Sequence, residues 1–155
     1  MALIPGLSSA SDLYAKLKRD AGIIDNEVTS DAFFNFVITG YSLIDWIKND
    51  PSISSEAKTE SEIKALYEDK GLKICGDLAV AAKHFVLTNR KPIISSATSR
   101  RGPGEGRYGR GKYKEGEETI TVSLNDGTEF SALELVTGVL NTWKLFFNKH
   151  KILEG

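Results

Sequence analysis

The stretch GDLAVAAKHFVLTNR, Gly76 to Arg90, carries Asp77, Lys83, His84 and Arg90 on or beside one apolar segment. A histidine changes charge near neutral pH, and an aspartate that orients it makes an acid–base pair. A neighbouring lysine or arginine would stabilise a phosphoryl oxyanion. One chemistry open to these side chains is metal-independent RNA cleavage, with His84 as acid–base and Lys83 or Arg90 as the cation. On a helix, Asp77 and His84 share a face two turns apart, and Lys83 lies about 100° to one side of His84. Two turns are too far for easy contact, so Asp45, near the end of another helical segment, is the acid that could reach His84. The plainer account makes His84 a half-buried, hydrogen-bonded histidine and leaves Lys83 in solvent.

The second chemistry-bearing stretch is RRGPGEGRYGRGKYK. Arg100, Arg101, Arg107, Tyr108, Arg110, Lys112 and Tyr113 alternate cations and aromatics among glycines. That pattern suits phosphate contacts and base stacking, or docking on an acidic partner. The plainer account is a positively charged loop packing near an acidic bundle. From Arg90 to Lys114 there are eight basic residues and one acid, a balance of +7, against −8 for the remainder and −1 overall. Such asymmetry marks an electrostatic docking surface or the pairing of unlike faces.

Other site chemistries find little footing. No GxxxxGK[ST] loop is present, and GPGEGRYG has no strand–turn–helix setting for a dinucleotide. No cofactor is therefore expected. His84 and His150 lie far apart and DNEVTSD lacks EF-hand spacing, so no metal is expected. No G-x-S-x-G occurs, and the serines cluster at caps and loops. Cys75 is the single cysteine. It excludes an intrachain disulfide and a thiolate zinc site, and it reads as a small buried residue.

These residues must be held by helices. SSASDLYAKLKRDAG reads as a first helix, capped by Ser11 or Ser9 and ended by Gly22. TSDAFFNFVITGYSLIDWIKNDP is the strongest. It is capped by Ser30 or Thr29, lined by Phe33, Phe36, Val37, Gly40, Tyr41, Ile44 and Ile47, and closed by Pro51. Its second flank of Phe34, Ile38 and Trp46 makes it central, and Gly40 implies a close helix crossing. A short helix through Ile63, Leu66 and Tyr67 stops at Gly71. Leu72, Cys75, Leu78, Ala79, Ala82 and Phe85 or Val86 continue at helical spacing. From Thr88 to Gly106 periodicity is lost, and SSATSRRGPGEG reads as loop. RYGRGKYK alternates weakly, like the start of an edge strand. Ile120, Val122 and Leu124 alternate before an NDG turn that returns a strand through Phe130. Ser131 then caps a last helix buried through Leu133, Val136, Leu140, Trp143 and Phe147.

The expectation is one domain over residues 1–155, mainly α. It comprises an N-terminal tail (1–10), a helical bundle (10–87), a basic Gly-rich loop (88–117), a β-hairpin (118–130) and a C-terminal helix (131–150), about five helices in all. A length of 155 residues and 41% hydrophobic content support one real core. No apolar run approaches the roughly 18 residues of a membrane span. The opening MALIPGLSSASD lacks the basic start and apolar length of a secretory signal. A cytoplasmic protein without membrane contact is expected.

The order DAFFNFVITGYSLIDWI, LKICGDLAVAAKHFVLTN, a hairpin, then ALELVTGVLNTWKLFF resembles a group of uncharacterised bacterial and phage proteins. The shared pattern runs aromatic-Asn-aromatic, Asp-Trp, then Asp-Leu-Ala with Lys-His-Phe, over about residues 10–150. That group is similar to HEPN-like helical proteins of toxin–antitoxin, abortive-infection and other phage-conflict systems. The resemblance implies a helical bundle in that context. Active HEPN ribonucleases resemble one another in an Arg four to six residues before a His. This chain has Asp77, Leu78 and Ala79 before His84, and Trp143, Lys144 and Leu145 before His150. The ribonuclease site is therefore not carried over. The reading is a non-catalytic binding or regulatory module, contacting a protein partner through the basic hairpin and dimerising through its helices. Its alternatives are a ribonuclease using His84 and a sequence-nonspecific nucleic-acid binder.

Overall fold

The computed structural model describes residues 3–101 and 118–154. Among these, the fold is mainly α with a small antiparallel sheet. The elements run α1 (Ala10–Asn26), α2 (Ser30–Asn49), a 3-10 turn (Ser55–Lys58), α3 (Glu60–Glu68), α4 (Lys70–His84), β1 (Ile94–Arg100), β2 (Thr119–Leu124), β3 (Glu129–Ser131) and α5 (Ala132–Lys149). No described helix is long and apolar enough to cross a membrane.

Each α-helix starts where a short polar side chain satisfies a free backbone N–H. Ser9, Thr29, Thr59 and Asp69 accept from the N–H groups of Asp12, Ala32, Glu62 and Leu72, the third residues of α1, α2, α3 and α4. Ser131 and Glu134 form a reciprocal capping box on α5. The core lies where α1, α2, α4 and α5 meet. Leu17, Ile24, Phe36, Leu43, Ile47, Leu72, Ile74, Cys75, Val139, Trp143 and Phe147 are fully buried. Gly40 is the expected crossing point. A Cβ there would stand 3.4 Å from Val139, 3.6 Å from Leu17 and 3.7 Å from Cys75. Its carbonyl accepts from Trp143 Nε1 at 3.2 Å, which ties α5 to α2 inside the core.

The sheet order is β1-β2-β3. Ala97 stands opposite Val122, and Val122 opposite Phe130. Ile120, Val122 and Leu124 face the core, as their alternation predicts. The NDG turn closes as expected, with Gly127 at φ +91 and Asp126 accepting from the Thr128 N–H at 2.9 Å. β2 and β3 lie against α5, while every residue of β1 after Ile94 is exposed.

Five expectations are corrected. Gly22 does not end α1, which runs to Asn26. Gly22 has open space around it and costs a helix about 1 kcal/mol, while Ile24, fully buried, holds the next turn on the core. Gly71 does not stop a helix either. It sits in the first turn of α4, where a Cβ would come within 3.1 Å of Val139, and the break falls at Asp69. The span 88–117, read as loop, contains β1. With both faces in solvent, that strand has no reason to alternate hydrophobic and polar residues. Finally, only the first half of α4 is buried, through Leu72, Ile74, Cys75, Gly76 and Asp77. Phe85 and Val86, expected on the buried face, are 92% and 52% exposed. In α5, Leu133 and Leu140 are half-buried, and Leu135, Val139 and Phe146 join the core.

Candidate functional site

The polar residues of GDLAVAAKHFVLTNR divide into two groups. Lys83 and His84, in the last turn of α4, are exposed, and their side chains make no hydrogen bond or ion pair with a described residue. The expected half-buried, bonded His84 is thus corrected: the chain leaves the core before reaching it. Phe85 ends α4 at φ +69, its N–H bonded to the Ala81 carbonyl at 2.7 Å. A bulky residue there is backbone-strained.

Asp77 and Arg90 form the other group. Asp77 is 2% exposed. Its Oδ1 accepts from Arg90 Nε at 2.5 Å, and its Oδ2 accepts the backbone N–H groups of Ile93 and Ile94 at 2.8 and 3.3 Å. Arg90 also donates to the Tyr41 hydroxyl at 3.0 Å and the Lys73 carbonyl at 3.3 Å. Its guanidinium carbon lies 5.4 Å from the Tyr41 ring centroid, within cation–π reach. The chain leaves α4 at His84, doubles back, and locks onto the helix it has just left. Gly76 makes room for this. A Cβ there would meet Arg90 Nη2 at 2.5 Å and Tyr41 Cε1 at 2.6 Å.

Asp45 has a different setting. It is exposed on α2, 3.4 Å from the Tyr67 hydroxyl that donates to it and 3.7 Å from Lys48 Nζ. It borders a cleft of about 500 Å³ with Trp46, Pro51, Leu3, Ile4 and Leu7. The five candidate catalytic residues are therefore scattered. Asp77 is committed to Arg90 and two amides, and Asp45 is bonded to Tyr67.

At the far end of β1 stands a second carboxylate that sequence reasoning missed. Glu118, 8% exposed, accepts from the Ser30 hydroxyl, from Ser99 Oγ at 2.5 Å, and from Arg101 Nη2. Burial pushes its pKa up, but the hydrogen bonds from Ser30, Ser99 and Arg101 outweigh that and hold it at about 2. Ser30 opens α2, so the carboxylate also faces the positive end of that helix. In sequence Glu118 is one acid in the run EGEE, with nothing to distinguish it.

β1 is thus clamped at both ends by buried carboxylates, each of which engages one arginine. Of the residues expected to touch a partner, Arg101 is paired with Glu118, though its side chain is 63% exposed. Arg100 is exposed at the end of β1. Arg107, Tyr108, Arg110, Lys112 and Tyr113 lie outside the described residues. Among the described residues no cluster of His, Cys, Asp and Glu has the makings of a metal site. No protein-family model matches the chain, and no curated protein or solved structure matches it.

Proposed function

We propose that the chain is a non-catalytic binding module that presents its basic segment to an anionic protein surface. What carries this reading is the pair of carboxylate clamps. Asp77 fixes the backbone entering β1 and Glu118 fixes its exit, so the hairpin base is held against the helical bundle. Lys91 and Arg100 stand exposed on that base, and Lys83, His84 and Phe85 stand exposed at the end of α4. Such an arrangement separates a rigid scaffold from a cationic contact surface, as recognition elements carried by loops require. The resemblance to HEPN-like proteins suggests a bacterial or phage-conflict setting and a cytoplasmic location.

The test is affinity capture from bacterial lysate, with and without nuclease treatment. The variant replaces Arg100, Arg107, Arg110 and Lys112 by Ser, and spares Arg101 because it holds Glu118. A protein captured by the parent chain after nuclease treatment, and lost with the folded variant, supports the proposal. Capture unaffected by the four substitutions overturns it. Capture that disappears with nuclease overturns it in favour of nucleic-acid binding. The ribonuclease alternative requires RNA cleavage that His84→Ala abolishes in a folded chain.

A further inference from the structure

We infer that the groove between α1 and α5 binds a small phosphate monoester, held by Lys18 and Lys144 and bonded by the Tyr14 hydroxyl. The groove encloses about 360 Å³ and is lined by Tyr14 and Lys18 of α1 and by Thr137, Leu140, Asn141 and Lys144 of α5. That volume falls within the roughly 300–1,000 Å³ of small-ligand sites. Helical spacing brings these side chains together. Tyr14 and Lys18 stand four apart, and Thr137, Asn141 and Lys144 follow at intervals of four and three, so each set shares one helix face. None of them belongs to the basic segment, so the site stands apart from the proposed partner contact.

Tyr14 is the residue that points to a ligand. It is 3% exposed, and its ring centroid lies 4.3 Å from that of Phe147. A buried tyrosine hydroxyl usually finds a hydrogen-bond partner. This one has none among the described residues. No fully buried polar side-chain atom among them goes unpaired, so the hydroxyl holds part of the little exposure that Tyr14 keeps. The groove is the cavity that Tyr14 borders. Burial, and then the Glu154 charge, push the phenol pKa up, so the hydroxyl keeps its proton and can donate.

The rest of the lining supplies further donors. Thr137, Asn141 and Lys144 are exposed, and their side chains make no hydrogen bond or ion pair with a described residue. None of the lining residues is acidic. Lys18 Nζ stands 4.7 Å from the Tyr14 ring centroid and 2.8 Å from Glu154 Oε2. The Glu154 carboxylate therefore already places an anion at the edge of the groove. Both partners of that pair are partly exposed, and such pairs hold weakly, so a stronger anion displaces it. Two ammonium groups call for two negative charges. A phosphate monoester carries nearly two at neutral pH, with three acceptor oxygens for the hydroxyl and amide donors, whereas a carboxylate carries one. Leu140 and the Tyr14 ring give its organic part an apolar wall.

Calorimetric titration of the full chain with phenyl phosphate tests it. Saturable binding at one site is expected. Lys144→Ser is expected to weaken it roughly tenfold, the worth of one charge-assisted hydrogen bond. Lys64→Ser makes the same change of charge on α3, outside the groove, and is expected to leave binding unchanged. Glu154→Gln frees Lys18 and is expected to tighten binding roughly two- to fivefold. Tyr14→Phe is expected to weaken binding roughly fivefold. It should cost nothing in urea unfolding, because the hydroxyl bonds no described residue. Should a variant fail to fold, amide chemical shifts in the unmodified chain decide. Those that move with phenyl phosphate must centre on Tyr14, Lys18, Asn141 and Lys144. The inference is overturned by no saturable binding, by an equal loss through Lys64→Ser, by no tightening in Glu154→Gln, by benzoate bound as tightly as phenyl phosphate, or by binding indifferent to Lys144→Ser and Tyr14→Phe.

Discussion

Glu118 makes the packing of the hairpin on the bundle sensitive to acid, by an amount that can be worked out. Its carboxyl falls from an ordinary 4.5 to about 2 in the folded chain. A depressed folded pKa adds stability that is complete above the unfolded value and is lost as pH falls toward the folded one. The window is therefore pH 4.5 down to about 2. At 1.36 kcal/mol per unit, the full contribution is about 3 kcal/mol. It is an upper figure, because Arg101 is 63% exposed and its share is screened by solvent. The linkage expression places about 2 kcal/mol of that loss between pH 7 and pH 3.

The perturbation is Glu118→Gln, which keeps the shape and removes the titration. Urea unfolding of both chains from pH 7 to pH 3 is the assay. At pH 7 the variant is expected to be less stable by about 2–3 kcal/mol, and near pH 3 by about 1 kcal/mol. The two stability curves must converge as pH falls, whatever the other carboxylates do, since those are common to both. A difference that stays constant over this range would refute the reasoning. It would mean that Glu118 holds β1 through shape and neutral hydrogen bonds alone.

Three further outcomes follow from the same geometry. Gly76→Ala, normally worth about 1 kcal/mol to a helix, is expected to destabilise by about 1–3 kcal/mol in thermal or urea unfolding, because its Cβ meets Arg90 and the Tyr41 ring; a neutral result would contradict that packing. Asp77→Ala introduced into a chain already lacking Arg90 should still cost about 2 kcal/mol in urea unfolding, since the Ile93 and Ile94 N–H groups lose their acceptor; a cost near zero would make the ion pair the whole effect. Cys75 is fully buried, and burial pushes its thiol pKa up, so a thiol reagent should label it at the rate of unfolding; immediate labelling of the native chain contradicts the core described.

α1, α2 and α5 were legible because each announces itself twice, through a cap and through a 3–4 spacing, whereas α3 and α4 showed their spacing alone. Thr29 and Ser131 cap where expected, and Phe36, Val37, Ile44 and Ile47 are buried where their spacing puts them. β1 carried neither signal. Ser, Ala and Thr exposed on both faces write the same pattern as a loop. The site was half legible. An aspartate inside an Ala-rich apolar run marked Asp77 as special, but counting along the helix put it two turns from His84 and offered it no partner. Its true partner, Arg90, lies beyond the helix on a segment that reverses direction, and helical spacing cannot express a reversal. Glu118 depends on Ser30, 88 residues away, so nothing local could have set it apart from its acidic neighbours.

The clamps raise the question of why charge is used where apolar packing would hold as well. A buried ion pair replaced by hydrophobic residues is often no less stable, because desolvation offsets most of the attraction. That equivalence fails here, since neither carboxylate is merely one half of a pair. Asp77 accepts two successive backbone amides, which an apolar side chain would leave without a partner. Glu118 gathers a helix N-terminus, a strand serine and an arginine at one point. A hydrophobic contact is indifferent to direction, whereas an acceptor bonded to named donors fixes both register and angle. The cost of burying these carboxylates therefore sets where β1 begins and ends relative to α2 and α4. Orientation of this kind is what the proposed binding role would require of the segment that carries the charges.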